Sequence, residues 1–81
     1  MKIGQKFNNG GMRLTCLDFF GDDKKNVGLF IRESDEMLIT ARDTSVDNNC
    51  SYSWAWGHYF TDIEEAKKDF QSRVADLKSY I

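Results

Sequence analysis

From Tyr52 to Phe60 the chain alternates: Tyr52, Trp54, Trp56, His58 and Phe60 share one parity, and Ser53, Ala55, Gly57 and Tyr59 take the other. Successive side chains of a β-strand point to opposite faces, so the pattern predicts a strand with two unlike sides. Within a few residues the period changes. Ile63, Ala66, Phe70, Val74, Leu77 and Ile81 follow at steps of three and four, which places them along one side of a helix. Thr61-Asp62-Ile63-Glu64, where the period changes, reads as a capping box, with Asp62 and its partner Glu65 as the rival cap. Asp62, Glu64 and Glu65 at the start and Lys78 near the end suit the helix dipole. Glu64 with Lys68 and Asp69 with Arg73 are spaced as surface pairs worth a few tenths of a kcal/mol each. Burial of the apolar stripe outweighs them, at about 1.5–3 kcal/mol for each large side chain.

Upstream, residues 2–7 suit a short first strand, and Asn8-Asn9-Gly10-Gly11 is a turn of residues that tolerate positive φ. Met12, Leu14 and Cys16 then alternate with Arg13, Thr15 and Leu17. Both parities become apolar around Cys16, Leu17, Phe19 and Phe20, which predicts a bulge or a strand end near Asp18. The polar run at 21–26 breaks this strand. A third strand covers 27–32, Glu33-Ser34-Asp35-Glu36 forms a turn, a fourth strand covers 37–42, and a polar loop spans 43–50. Short connections favour antiparallel neighbours. The expected fold is therefore α+β, a single domain over residues 1–81 in two layers: an antiparallel β-meander of four to five strands packed by one C-terminal amphipathic α-helix.

The helix covers only one face of such a sheet. Val27, Leu29, Ile31, Met37, Ile39, Ala41, Met12 and Leu14 make the natural inner set. For the last strand, Ala55 and Gly57 would let the helix approach closely, whereas Trp54 and Trp56 would bury more apolar area. Phe60, next to the cap and in phase with the tryptophans, favours placing them inside. The outer face then carries Arg13, Thr15, Phe30, Arg32, Thr40, Arg42, Ser53 and Tyr59. Arg13, Phe30, Arg32, Arg42 and Tyr59 are the candidate partner-binding residues. Arginines beside aromatic rings bind an acidic protein surface by forked hydrogen bonds, or a nucleic-acid strand by phosphate contact and stacking. An ordinary solvated face, its arginine stems lying over the sheet, is the plain alternative.

With 81 residues the chain supports one modest core. Its formal charge of −2 gives no general attraction to phosphate backbones and is too small for a DNA-mimicking polyanion. No apolar run approaches the ~18 residues of a membrane span, and the amino terminus MKIGQKFNNGG lacks the apolar core of a signal peptide. A cytoplasmic location with no membrane partner is expected. Cys16 and Cys50 would then be reduced, with a bridge between them only if the chain were exported by another route. Asn49-Cys50-Ser51 matches a glycosylation acceptor, without consequence in the cytoplasm.

Candidate chemistry is sparse. Cys16, Cys50 and His58 fit no usual zinc spacing, and a thiolate nucleophile needs a base within hydrogen-bond reach. Asp43, Ser45 and Asp47 have the odd spacing of a calcium loop, but its turn glycine is replaced by Asn48 and its closing acid by Trp54. Adjacent acids such as Asp22 with Asp23 and Glu64 with Glu65 read as solvated surface. The expectation is no enzyme, no metal and no cofactor.

The stretch Phe60-Thr61-Asp62-Ile63-Glu64-Glu65-Ala66-Lys67-Lys68-Asp69-Phe70 resembles the strand-to-helix junction of small proteins carried by phages and mobile elements, including anti-CRISPR and other anti-defence inhibitors. The resemblance covers the last third of the chain, rests on a capping pattern common to many folds, carries over no functional residue, and implies an inhibitor that occupies a surface. The expected function is a small non-enzymatic binding protein, an inhibitor or adaptor docking on a larger protein partner. Single-stranded nucleic-acid binding on the same face is the alternative, and an enzyme using Cys16 or Cys50 with His58 the remote one. An unpaired edge strand also offers a route to a homodimer.

Overall fold

Five strands form one antiparallel sheet in chain order: β1 (Lys6–Asn9), β2 (Met12–Gly21), β3 (Asn26–Arg32), β4 (Leu38–Val46) and β5 (Tyr52–Phe60), followed by helix α1 (Ile63–Lys78). They are taken from a computed structural model of the chain, which describes residues 1–46 and 52–79. The expected α+β meander with one C-terminal helix is the architecture observed. Its first strand starts later than expected. Gly10 and Gly11, at φ 57° and 86°, form the two-residue turn by themselves and leave Asn8 and Asn9 to pair with Arg13 and Met12. Positive φ at both central residues matches the right-handed twist of the flanking strands.

The sheet has two apolar faces, one more than expected. On the helix side Val27, Leu29, Leu38, Ala66 and Phe70 form a core, flanked by Phe20, Ile31, Phe60, Val74 and Leu77. On the opposite side Phe7, Leu14, Cys16, Phe30, Ile39 and Ala41 form another, flanked by Met12, Phe19, Met37, Tyr52 and Trp54. The expected inner set therefore divides: Val27, Leu29 and Ile31 meet the helix, whereas Met12, Leu14, Met37, Ile39 and Ala41 lie on the far face. Register is the cause. The four-residue turn at 33–36 leaves Arg32 opposite Met37, so Ile31 pairs with Leu38 and Leu29 with Thr40. An even loop always pairs odd positions with even ones, and a one-residue difference in register exchanges the faces.

The far face is buried because the sheet curls into a half-barrel. β1 comes close to the start of β5, where the Phe7 and Tyr52 rings lie 4.8 Å apart and Gln5 Nε2 donates to Tyr52 Oη at 2.8 Å. Irregularities in three strands accompany the bend, as expected of bulges. In β2 the register shifts between Cys16 and Asp18, so the bulge anticipated near Asp18 is present. In β4 and β5 it shifts on either side of Arg42, with Asp43 at φ 53° and Trp56 at φ 56°. β4 therefore runs on to Val46, through part of the expected loop. Beyond the bulge the Asn26 side chain supports it: Nδ2 donates to the Thr44 carbonyl and Oδ1 accepts from the Thr44 amide, both at 2.9 Å. A carboxamide used this way replaces a strand's peptide group.

The slip at Trp56 corrects the placement of both tryptophans. His58 and Phe60, opposite Thr40 and Leu38, lie on the helix side. Trp54 is instead stacked on Phe30 in the far-face core, with centroids 5.5 Å apart and planes 9° from parallel. Trp56 is 72% exposed. The helix cap is Asp62 rather than Thr61: its backbone is extended at φ −108°, and its carboxylate accepts from the Glu65 amide at 3.2 Å. A carboxylate adds charge complementarity with the helix dipole to the hydrogen bond. Ile81, the last residue of the expected stripe, lies outside the described residues.

Candidate functional site

The five residues expected to share one open face do not. Phe30 is 0% exposed, at the centre of the far-face core between Phe7 and Trp54. Arg42 pairs with Val27 on the opposite side, beside the helix. Arg13 has the parity of Thr15, whose partner is Ile31, so it too lies on the helix side, held by Glu33 at 3.5 Å. Arg32 forks onto Asp35 at 2.9 and 2.6 Å, with Met12 Sδ against Nη1 at 3.3 Å. Tyr59, opposite Ile39 and 52% exposed, remains at the open end of the far face. The reason is the register shift described above: one side of β3 and β4 cannot carry both Phe30 and Arg42.

The structure gathers a polar seam that sequence reading missed. Asp69 Oδ2 accepts from Thr40 Oγ1, contacts His58 Nδ1 at 3.1 Å and pairs with Arg73 Nε at 3.3 Å. Burial alone would raise the Asp69 pKa, but hydrogen bonds from Thr40 and His58 and the charge of Arg73 together hold it below the usual carboxylate range. Arg73 is no surface partner of Asp69: it is 8% exposed, under the helix. Its Nη1 has no hydrogen-bond partner among the described residues. A buried donor left unpaired costs about 1–3 kcal/mol. Burial, with a further push from the charge of Arg42, lowers the Arg73 pKa against the pull of Asp69. The 69–73 spacing was visible in the sequence; that it points inward became visible only with Thr40 and His58 opposite.

Beside this seam, between the carboxy-terminal half of α1 and the β3–β4 pair, lies a cavity of about 240 Å3 walled by Lys25, Arg42, Asp43, Arg73, Asp76 and Leu77. A second, of about 340 Å3, opens at the end of the curl between Met1, Phe19, Asn26, Thr44 and Tyr52.

The thiol of Cys16 is buried, its pKa pushed up to about 11 by burial and by the nearby charge of Asp18. Such a thiol is a poor nucleophile at neutral pH. Cys50 and Asp47 lie outside the described residues. Asp43 and Ser45, the rest of the calcium-like spacing, stand in β4. Among the described residues no group of three or more His, Cys, Asp or Glu side chains is placed to hold a metal ion, and no helix is long and apolar enough to cross a membrane.

β5 presents the most exposed large aromatic groups among the described residues, Trp56 at 72% and Tyr59 at 52%. Trp56 holds a positive φ of 56°, costly for any side chain but glycine's hydrogen. Among the described residues β5 is also an edge, paired on one side by β4 and met by Phe7 of β1 and by Gln5 just before it through side chains. No protein-family model matches this chain, no curated protein matches it, and no solved structure matches it.

Proposed function

We propose that this chain is a small non-catalytic binding protein, an inhibitor or adaptor, that docks on a larger protein partner through β5, with Trp56 and Tyr59 as anchors and Arg32 at the rim. The observation that carries the reading is Trp56: a 72% exposed indole on a positive-φ backbone at the bulge of an edge strand. Strained backbone of this kind costs about 1–3 kcal/mol and concentrates where a side chain must be aimed. Tryptophan, tyrosine and arginine are also the residues that dominate binding energy at protein interfaces. Arg32 lies near Tyr59, and the Asp35 carboxylate holds its guanidinium in a fixed orientation.

A nucleic-acid strand is the weaker occupant. Arg13 and Arg32 are already engaged by Glu33 and Asp35, and the formal charge is −2. Few cations remain near β5 to meet phosphates.

The test is affinity capture with the intact chain, identification of the partner by mass spectrometry, and reconstitution with the purified partner. Replacing Trp56 or Tyr59 by Ala should weaken that binding by about 30-fold or more each, the effect of a 2 kcal/mol interface anchor, with unchanged circular dichroism. Undiminished binding by the double variant would overturn the reading. So would salt-dependent binding to single-stranded oligonucleotides that both changes abolish.

A further inference from the structure

The cavity beside Arg73 brings together cations from three separate elements: Lys25 from the β2–β3 turn, Arg42 from β4 and Arg73 from α1. Their charges are poorly answered. Neither Lys25 nor Arg42 forms an ion pair among the described residues, although Asp43 and Asp76 share the wall. Arg73 pairs with Asp69 through Nε, on an oxygen that also serves Thr40 and His58. Its Nη1 is buried with no acceptor among the described residues. Arg42 is near enough to repel it.

A group with several acceptor oxygens would meet these donors together. Two guanidiniums present forked N–H pairs and the lysine a single charge, so hydrogen bonds arrive from three directions. A tetrahedral phosphate spreads its acceptor oxygens in three dimensions around one centre, whereas the two oxygens of a carboxylate lie in one plane. At about 240 Å3 the space falls below the ~300–1,000 Å3 usual for drug-sized ligands. Asp43 and Asp76 oppose a larger polyanion. We propose that this cavity binds a small anion carrying a single phosphate group, with Lys25 and Arg42 at its mouth and Arg73 turning Nη1 onto it from the wall. The site is separate from β5 docking and stands without it.

Isothermal titration of the full chain at low ionic strength, in a chloride buffer, tests this with inorganic phosphate, glycerol phosphate and acetate. The expected result is one saturable site for a phosphate ligand and weaker binding of acetate. Tighter binding of glycerol phosphate would point to an organic phosphate, and equal binding to the free ion. Lys25→Gln with Arg42→Gln, both at exposed positions, should weaken phosphate at least about tenfold while the circular dichroism spectrum stays unchanged. No saturable binding of either phosphate ligand would overturn the proposal. Equal affinity in the double variant would place the ion elsewhere and do the same, as would acetate binding as tightly as phosphate.

Discussion

At the scale of single residues, two glycines make room for the far-face core. A Cβ built on Gly28 would lie 2.1 Å from Phe30 Cζ, and one on Gly57 would lie 3.0 Å from Trp54 Nε1. The stacked Phe30 and Trp54 rings thus lie over bare backbone. Gly28→Ala should destabilise the fold by about 1–3 kcal/mol, the usual cost of overpacking, read as a lower urea midpoint. Asp35 gives a pH-dependent counterpart. The Arg32 fork, then the Met37 amide, hold its pKa down at about 2. A carboxylate lowered on folding stabilises the native state above its unfolded value of about 3.9 and loses that contribution as pH falls through the folded value. Wild type and Asp35→Asn should therefore differ most in denaturation midpoint above about pH 4, the gap closing as pH falls through about 2. A gap that did not depend on pH would contradict the Arg32–Asp35 arrangement.

At the scale of elements, β5 shows how one irregular residue redistributes a strand. Its alternation is plain in the sequence, yet a positive φ at Trp56 separates Tyr52 and Trp54, on the far face, from His58 and Phe60, beside the helix. No residue type at 56 announces this, since glycine or asparagine would be the usual occupant of such a conformation. Tryptophan emission resolves the two environments. Trp56→Phe should remove the red-shifted, iodide-quenchable component, and Trp54→Phe the blue-shifted, protected one. Equal quenching of the two single-tryptophan proteins would contradict the split. For the β3–β4 pair the register was legible: four turn residues at 33–36 already require Ile31 to face Leu38, and hydrophobic parity alone pointed the other way.

At the scale of the whole molecule, the curl turns a two-layer sandwich into a fold with two cores. Among the described residues it is drawn in by side chains, Gln5 and Phe7 against Tyr52, and not by a continuous ladder of backbone hydrogen bonds. Tyr52→Phe keeps the ring against Phe7 but leaves Gln5 Nε2 without its acceptor. We expect a loss of about 0.5–1.5 kcal/mol in global stability. Amides of β1 should also exchange faster than those of β3, because this seam opens first. Uniform exchange in the two strands would mean that the curl does not depend on this contact.

Periods and turn residues within a few positions of one another were enough to read an antiparallel meander and a helix with its apolar stripe, and to mark a bulge or a strand end near Asp18. Tertiary structure was needed to put the two halves of β5 on opposite sides of the sheet, to bury Arg73 with a donor unpaired among the described residues, and to leave Trp56 in solvent. Those outcomes depend on register and curvature. Both are summed over several strands, and a single bulge reverses every side chain beyond it.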